Sequence, residues 1–348
     1  NCDDRYWSIE LNKDEIIESL HPISPGTVLS GDDWGGDFLS PMAIDLQING
    51  GQGLAFPELT FDDFSSLLDL LDRLWEDGVE AIAPTFVTCS IQSLRQGLLV
   101  LREARKKQSH NRCRLLGAHL EGPFLSKKFV GAHDLNYLEA PSLAALEKRI
   151  KGFENEISLV TLAPELKGAF EVINRLKELE IVIALGHSSA DQEMAKSAFD
   201  KGVGMLTHTF NAMPGLHHRS PGPIGEALDN GQISFGLIAD GVHVHPHIAV
   251  LLQRLAVNQL VLVSDAIAPY GLGDGTYLWD KRLLLAKEGV CRLEDGTFAG
   301  STVPLLEGCK RLAQWGGYLG ATIWSATISP RQVLSQRHTN IKELLIGK

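Results

Sequence analysis

Clustered cysteines are missing from this chain. Its five cysteines, Cys2, Cys89, Cys113, Cys291 and Cys309, are scattered, odd in number and never spaced Cys-x-x-Cys. A thiolate metal site is therefore excluded, and a reducing compartment is indicated, so a cytoplasmic location is expected. Basic charge is also scarce: 32 Lys and Arg stand against 43 Asp and Glu, for a formal charge of -11. No nucleic-acid partner is expected, and a small anion would need locally placed positive charge. No apolar run approaches the ~18 residues of a membrane span, and no charged-then-apolar secretion signal opens the chain. No membrane association is expected either. The first residue is Asn1 rather than Met, so a missing native start is expected. Repeats and low-complexity tracts are absent too.

What is there is a long, ordinary globular composition. The 348 residues are 44% hydrophobic and 22% charged, which excludes disordered and fibrous classes and matches the length of one α/β barrel. Near-continuous apolar runs, as in strands buried on both faces, occur at Ala43–Ile48, Glu80–Val87, Leu115–Leu120, Ile157–Ala163, Ile181–Leu185, Gly204–Thr209, Ile233–Ala239 and Leu260–Val263. Helical stripes lie between them at Phe61–Trp75, Ile91–Ala104, Ala169–Leu179, Asp191–Phe199 and His247–Ala256. Thr60 with Asp63 reads as an N-cap, and Gly78 as a stop. Eight strands alternating with helices favour a (β/α)8 TIM-like barrel over an open doubly wound sheet, although a count alone leaves closure unproven. Residues 1–41, with Gly31-Asp32-Asp33-Trp34-Gly35-Gly36, read as a small β-rich appendage that shares part of the C-terminal tail. Residues 42–340 read as the barrel, with a hairpin insertion at about 266–300 and a helix from near Ser301. Gly271, Gly273 and Gly275 fall in that insertion, where they mark turns and not a dinucleotide loop.

Polar residues cluster where the apolar runs end: Gln47 and Asn49, Thr85, Glu121, Glu165, His187, His208, Asp240 and His243, and Asp265. In a barrel these ends meet at one mouth. Singly, each has a plain structural explanation; together, unpaired carboxylates and imidazoles in one buried mouth are costly without a purpose. Glu121, His187 and His208 form a His2Glu set with an open position, the pattern of catalytic zinc. One divalent ion per chain is expected, zinc first, with iron, cobalt or manganese as alternatives. Such an ion lowers the pKa of its water to about 7. Asp265 beside it is placed to carry a proton to a leaving amine, which reads as amide or ester hydrolysis. His133 is a candidate to steady an oxyanion, and Arg219 and His243 carry donors suited to a phosphate.

The stretches Ile44-Asp45-Leu46-Gln47-Ile48-Asn49-Gly50-Gly51, His119-Leu120-Glu121-Gly122-Pro123-Phe124, Gly131-Ala132-His133, Thr161-Leu162-Ala163-Pro164-Glu165, Leu185-Gly186-His187-Ser188, Thr207-His208-Thr209-Phe210-Asn211-Ala212-Met213, Ile238-Ala239-Asp240-Gly241-Val242-His243 and Val263-Ser264-Asp265-Ala266 resemble those of the N-acetylglucosamine-6-phosphate deacetylases of the amidohydrolase superfamily. The resemblance runs from about residue 42 to 310. It implies hydrolysis of N-acetylglucosamine 6-phosphate, with Glu121, His187 and His208 on the metal, Asp265 as acid and base, and His133 on the acetamide. It further implies that Ala132, Asn211, Ala212, Arg219, Asp240, His243, Ala299 and Gly300 contact the amino-sugar phosphate, and that a homodimer completes the phosphate site.

Where many amidohydrolases carry His-x-His, this chain has Gln47-Ile48-Asn49. Neutral amides are poor ligands for such an ion, which favours one metal. The chain also departs at Leu39-Ser40-Pro41-Met42-Ala43 and stops at Lys348, so the small β domain is expected to be incomplete. The rival readings are another amidohydrolase reaction and a sugar-phosphate-binding protein that has lost catalysis.

Overall fold

The computed structural model describes residues 6–13, 17–24, 26–27, 31, 39–107, 109 and 111–335. The Asp32–Gly36 part of the Gly- and Trp-rich segment, Cys2, and the tail beyond residue 335 lie outside the described residues. The chain divides into two units, Asn1–Ser40 and Pro41–Lys348. In the first, Trp7–Leu11 and Ile17–Pro22 form an antiparallel hairpin.

The second unit holds a parallel sheet of strands β1 (Ala43–Ile48), β2 (Val79–Val87), β3 (Ala118–Glu121), β4 (Ile157–Leu162), β5 (Val182–Leu185), β6 (Met205–Leu206), β7 (Ser234–Ile238) and β8 (Leu260–Val263), paired in that order. A parallel bridge between Ile48 and Ala266 brings the eighth strand's end onto the first, so the sheet curls into the expected (β/α)8 barrel. Around it run α1 (Phe64–Glu76), α2 (Ile91–Arg105), α3 (Leu143–Ile150), α4 (Ala169–Glu178), α5 (Gln192–Lys201), α6 (Gly222–Asn230), α7 (Pro246–Leu255), α8 (Leu305–Gln314) and α9 (Leu319–Ser335). Among the described residues no helix is long and apolar enough to cross a membrane.

Local chemistry explains the helix starts. The Thr60 and Asp63 side chains form a capping box ahead of α1, and Leu67, Leu70, Leu71 and Leu74 bury one stripe of that helix. Asp191 accepts the Met194 N–H at the start of α5. Ile44, Leu46, Leu159, Val182, Met205 and Val261 share one buried cluster with Val333 and Leu334 of α9. A second cluster joins the other strand faces to the surrounding helices. Arg331 of α9 donates to the Met42 carbonyl and pairs with Glu80, fixing α9 beside the strand starts. The opposite, C-terminal rim is thus left for a site.

Three boundaries differ from the sequence reading. The run Leu115–Leu120 is split at Gly117 (φ 137°) into Arg114–Leu115 and β3. The sixth strand is only Met205–Leu206, because the chain turns into the left-handed region at His208 (φ 28°). The last insertion strand keeps Ser301, and α8 starts at Leu305, directly after Pro304. Helices α3, α6 and α9 were not anticipated. The insertion is a four-stranded antiparallel meander: β9 (Gly275–Trp279), β10 (Arg282–Lys287), β11 (Val290–Leu293) and β12 (Phe298–Ser301).

Candidate active site

A cavity of about 410 Å³ opens at the C-terminal rim. That volume suits a small organic ligand. Glu121 ends β3, His187 follows β5, His208 follows β6 and Asp265 follows β8; all four are buried and all line the cavity. His187 (φ 48°), His208 (φ 28°) and Asp265 (φ 48°) are non-glycine residues in the left-handed region. Such backbone costs energy and gathers at functional sites. It is held here by neighbours: Asp265 N–H donates to the Gln47 carbonyl at 2.9 Å, and Ser126 N–H to the His187 carbonyl at 2.8 Å.

The side chains converge closely. Nε2 of His208 lies 3.0 Å from Oε1 of Glu121 and 3.0 Å from Nε2 of His187, and the His187 nitrogen lies 3.2 Å from the same carboxylate oxygen. Nδ1 of His187 is 2.8 Å from the Phe129 carbonyl. A carbonyl only accepts, so Nδ1 carries the ring proton and Nε2 of the neutral ring offers a lone pair. Lone pairs so close together need a positive centre between them, and their spacing suits donors that share one ion at about 2.1 Å. The donor set therefore fits a divalent cation.

His133 also approaches, with Nε2 3.2 Å from His187 Nε2, and by distance alone Glu121, His133 and His187 make a ligand triplet. Its hydrogen bonds argue otherwise. The Thr88 N–H donates to His133 Nδ1 at 3.1 Å, so in the neutral ring Nε2 bears the proton. Burial, with His187 nearby, holds the imidazole well below its ordinary pKa. His133 thus presents a donor to the cavity, whereas a metal requires a lone pair.

Asp265 has one oxygen engaged. Its Oδ1 accepts Asn49 Nδ2 at 2.7 Å and Gln47 Nε2 at 3.2 Å, and the Gln47 amide also donates to Glu121 at 3.1 Å. The two amides thus grip the two carboxylates instead of offering oxygen ligands. Burial and then the Glu121 charge push the Asp265 carboxyl up to about 7. Burial alone would raise Glu121 as well, but the adjoining His187 and His208 rings outweigh it and hold that group well below the usual range. Beneath the site, Thr85, His119, Thr161 and Thr207 form a buried hydrogen-bonded chain. Burial lowers His119 to about 4, so this layer is neutral.

Other sequence candidates separate into two groups. Ala132, Asn211, Ala212, His243, Ala299 and Gly300 line the cavity. Asp240 does not; it sits behind His243, accepting its Nδ1 at 2.5 Å. Arg219 is exposed on the 217–220 turn and is not in the lining. Thr85 belongs to the layer below, and Glu165 binds Ser188 and Ser189 beside His187. The walls contributed by Phe129, Trp279 and Phe298 escaped the sequence reading. The buried Trp279 within an alternating hairpin was the one available signal.

No family model matches the chain. It is 33% identical over 311 residues to the N-acetylglucosamine-6-phosphate deacetylase of Vibrio furnissii, covering 89% of this chain and 77% of that protein. It is 32% identical over 326 residues to the N-acetylgalactosamine-6-phosphate deacetylase of Escherichia coli O157:H7, covering 92% and 83%. The solved N-acetylglucosamine-6-phosphate deacetylase of Thermotoga maritima superposes with a TM-score of 0.78 at 30% identity, over 95% of this chain and 85% of that one.

Proposed function

Because the chain belongs to the N-acetylglucosamine-6-phosphate deacetylase family, we propose that it hydrolyses N-acetyl-D-glucosamine 6-phosphate to D-glucosamine 6-phosphate and acetate. The observation that carries this reading is the meeting of Glu121, His187 and His208 with Asp265 in one cavity. Glu121, His187 and His208 would hold a single divalent cation, zinc in the first instance, which would supply a Lewis acid at this site. His133 donates its Nε2 proton toward the acetyl oxygen as negative charge grows there. Asp265 takes the proton from the attacking water and returns it to the departing nitrogen, so water and amide become acid and amine. Asn49 and Gln47 keep one Asp265 oxygen occupied and leave the other for that transfer.

Asn211, Ala212, His243, Ala299 and Gly300 hold the sugar, and Asp240 sets the ring of His243. The barrel at 42–340 supplies this set from one chain. Exposed Arg219 is assigned to the phosphate site of a second copy in a homodimer. A cytoplasmic location goes with the cysteines that are free among the described residues, Cys89, Cys113, Cys291 and Cys309.

The direct test is acetate release from N-acetylglucosamine 6-phosphate, its galacto epimer and unphosphorylated N-acetylglucosamine. The expected order of kcat/KM places the gluco phosphate first. Calorimetric binding of glucosamine 6-phosphate without any acetate release supports the lapsed binding protein instead.

A further inference from the structure

The meander touches the site at two places. At its end, the Ser301 N–H donates to the Asp265 carbonyl at 3.0 Å, and the Ile267 N–H donates to the Ser301 carbonyl at 3.2 Å. The strand end that carries Asp265 is thereby tied to β12. Near its start, Arg282 on β10 reaches across to the Gly131-Ala132-His133 loop, and its Nη2 donates to the Ala132 carbonyl at 2.8 Å. The same guanidinium is gripped by Asp280, which accepts Nε at 2.6 Å and also Nη2. It lies 5.0 Å from the ring centroid of Trp279, a buried residue of the cavity wall.

A local Asp280–Arg282 pair would be satisfied by itself. The additional bond to a carbonyl 150 positions away is what a plain surface pair does not require. Ala132 immediately precedes His133, whose ring is fixed at Nδ1 by Thr88. The residue is therefore held twice, at its ring by the end of β2 and at its backbone by β10. A planar guanidinium can hold a carboxylate and a carbonyl at once, which an ammonium cannot match.

We propose that Arg282 is a positioning residue for the deacetylation: it braces the His133 loop against the meander that also holds Asp265. This rests on the role proposed for His133. With the loop released, substrate still enters, but the His133 donor no longer meets the acetyl oxygen in register.

The test compares wild type, Arg282→Gln, Arg282→Lys and His133→Gln by acetate release from N-acetylglucosamine 6-phosphate. Arg282→Gln is expected to lose kcat by about 10²-fold, the scale of an ångström-sized misplacement, while KM stays near the wild-type value. Arg282→Lys recovers part of kcat. Added guanidinium ion partly restores Arg282→Gln and does nothing for His133→Gln. A wild-type kcat in Arg282→Gln overturns the proposal. So does a loss that follows thermal unfolding and responds to neither lysine nor guanidinium. If Arg282→Gln is unfolded, Arg282→Lys decides: a lowered kcat at unchanged KM supports the brace, and full activity overturns it. A wild type that releases no acetate overturns the deacetylase reading and the brace with it, whereas an active wild type beside an active Arg282→Gln removes the brace alone.

Discussion

The backbone N–H of Thr88 donates to Nδ1 of His133 across 3.1 Å, and this bond decides what the ring can do. With Nδ1 occupied as an acceptor, the neutral imidazole turns a proton toward the cavity, where His187, held the other way round by the Phe129 carbonyl, turns a lone pair. Under the proposed function, these two histidines, 3.2 Å apart, would divide into a ligand and a donor. The division predicts that His133→Gln keeps its metal and loses about 10²–10³ in kcat, the scale of one oxyanion donor. His187→Gln should instead lose the metal. Metal analysis beside kinetics checks both, and metal loss in His133→Gln contradicts the assignment.

As the proposed acid and base, Asp265 should set the pH response. Its carboxyl is pushed up to about 7 by burial and the Glu121 charge, and a cation beside it favours the ionised form and draws that value down. The base is the ionised form. Turnover should therefore fall as pH drops, with an acid limb centred at or below about 7. Asp265→Asn should cost roughly 10²–10⁴ in kcat with metal content intact. A near-normal Asp265→Asn enzyme, or a kcat/KM that rises as pH falls below 7, removes the role.

Gln47 and Asn49 point their amide nitrogens at the two carboxylates. Those donors occupy positions where a second ion would need lone pairs. Purified protein should hold about one equivalent of tightly bound divalent metal. Two equivalents bound with equal tightness contradict the one-metal reading.

Arg219 is exposed and outside the cavity lining, so its proposed contact with phosphate is assigned to a second copy. Arg219→Ala is expected to raise KM for N-acetylglucosamine 6-phosphate more than for the unphosphorylated sugar. Mixing Arg219→Ala with Asp265→Asn should give more activity at low substrate than the two variants assayed separately, since one mixed site keeps both groups. Equal effects on both sugars, with no gain on mixing, dismiss the role.

The strand ends were legible because each apolar run stops at a polar residue. Glu121, His187, His208 and Asp265 announce themselves where β3, β5, β6 and β8 give out. Boundaries were less legible where the chain enters the left-handed region: the His208 turn shortens β6, although its sequence continues to look like a strand. Helix α6 was hidden by its glycine and proline, and α3 by its brevity and by Arg149, a buried cation paired to Glu139. The aromatic walls could not be read either. Trp279 and Phe298 belong to a meander whose placement over the mouth follows from tertiary contacts such as Arg282 to Ala132.

The most direct test strips the metal with a chelator and returns zinc in measured steps while acetate is followed. Acetate release from N-acetylglucosamine 6-phosphate should vanish on stripping and rise linearly to a plateau near one equivalent per chain, the signature of a single tight site. Full activity in the stripped protein, or no activity at any zinc level, contradicts the account.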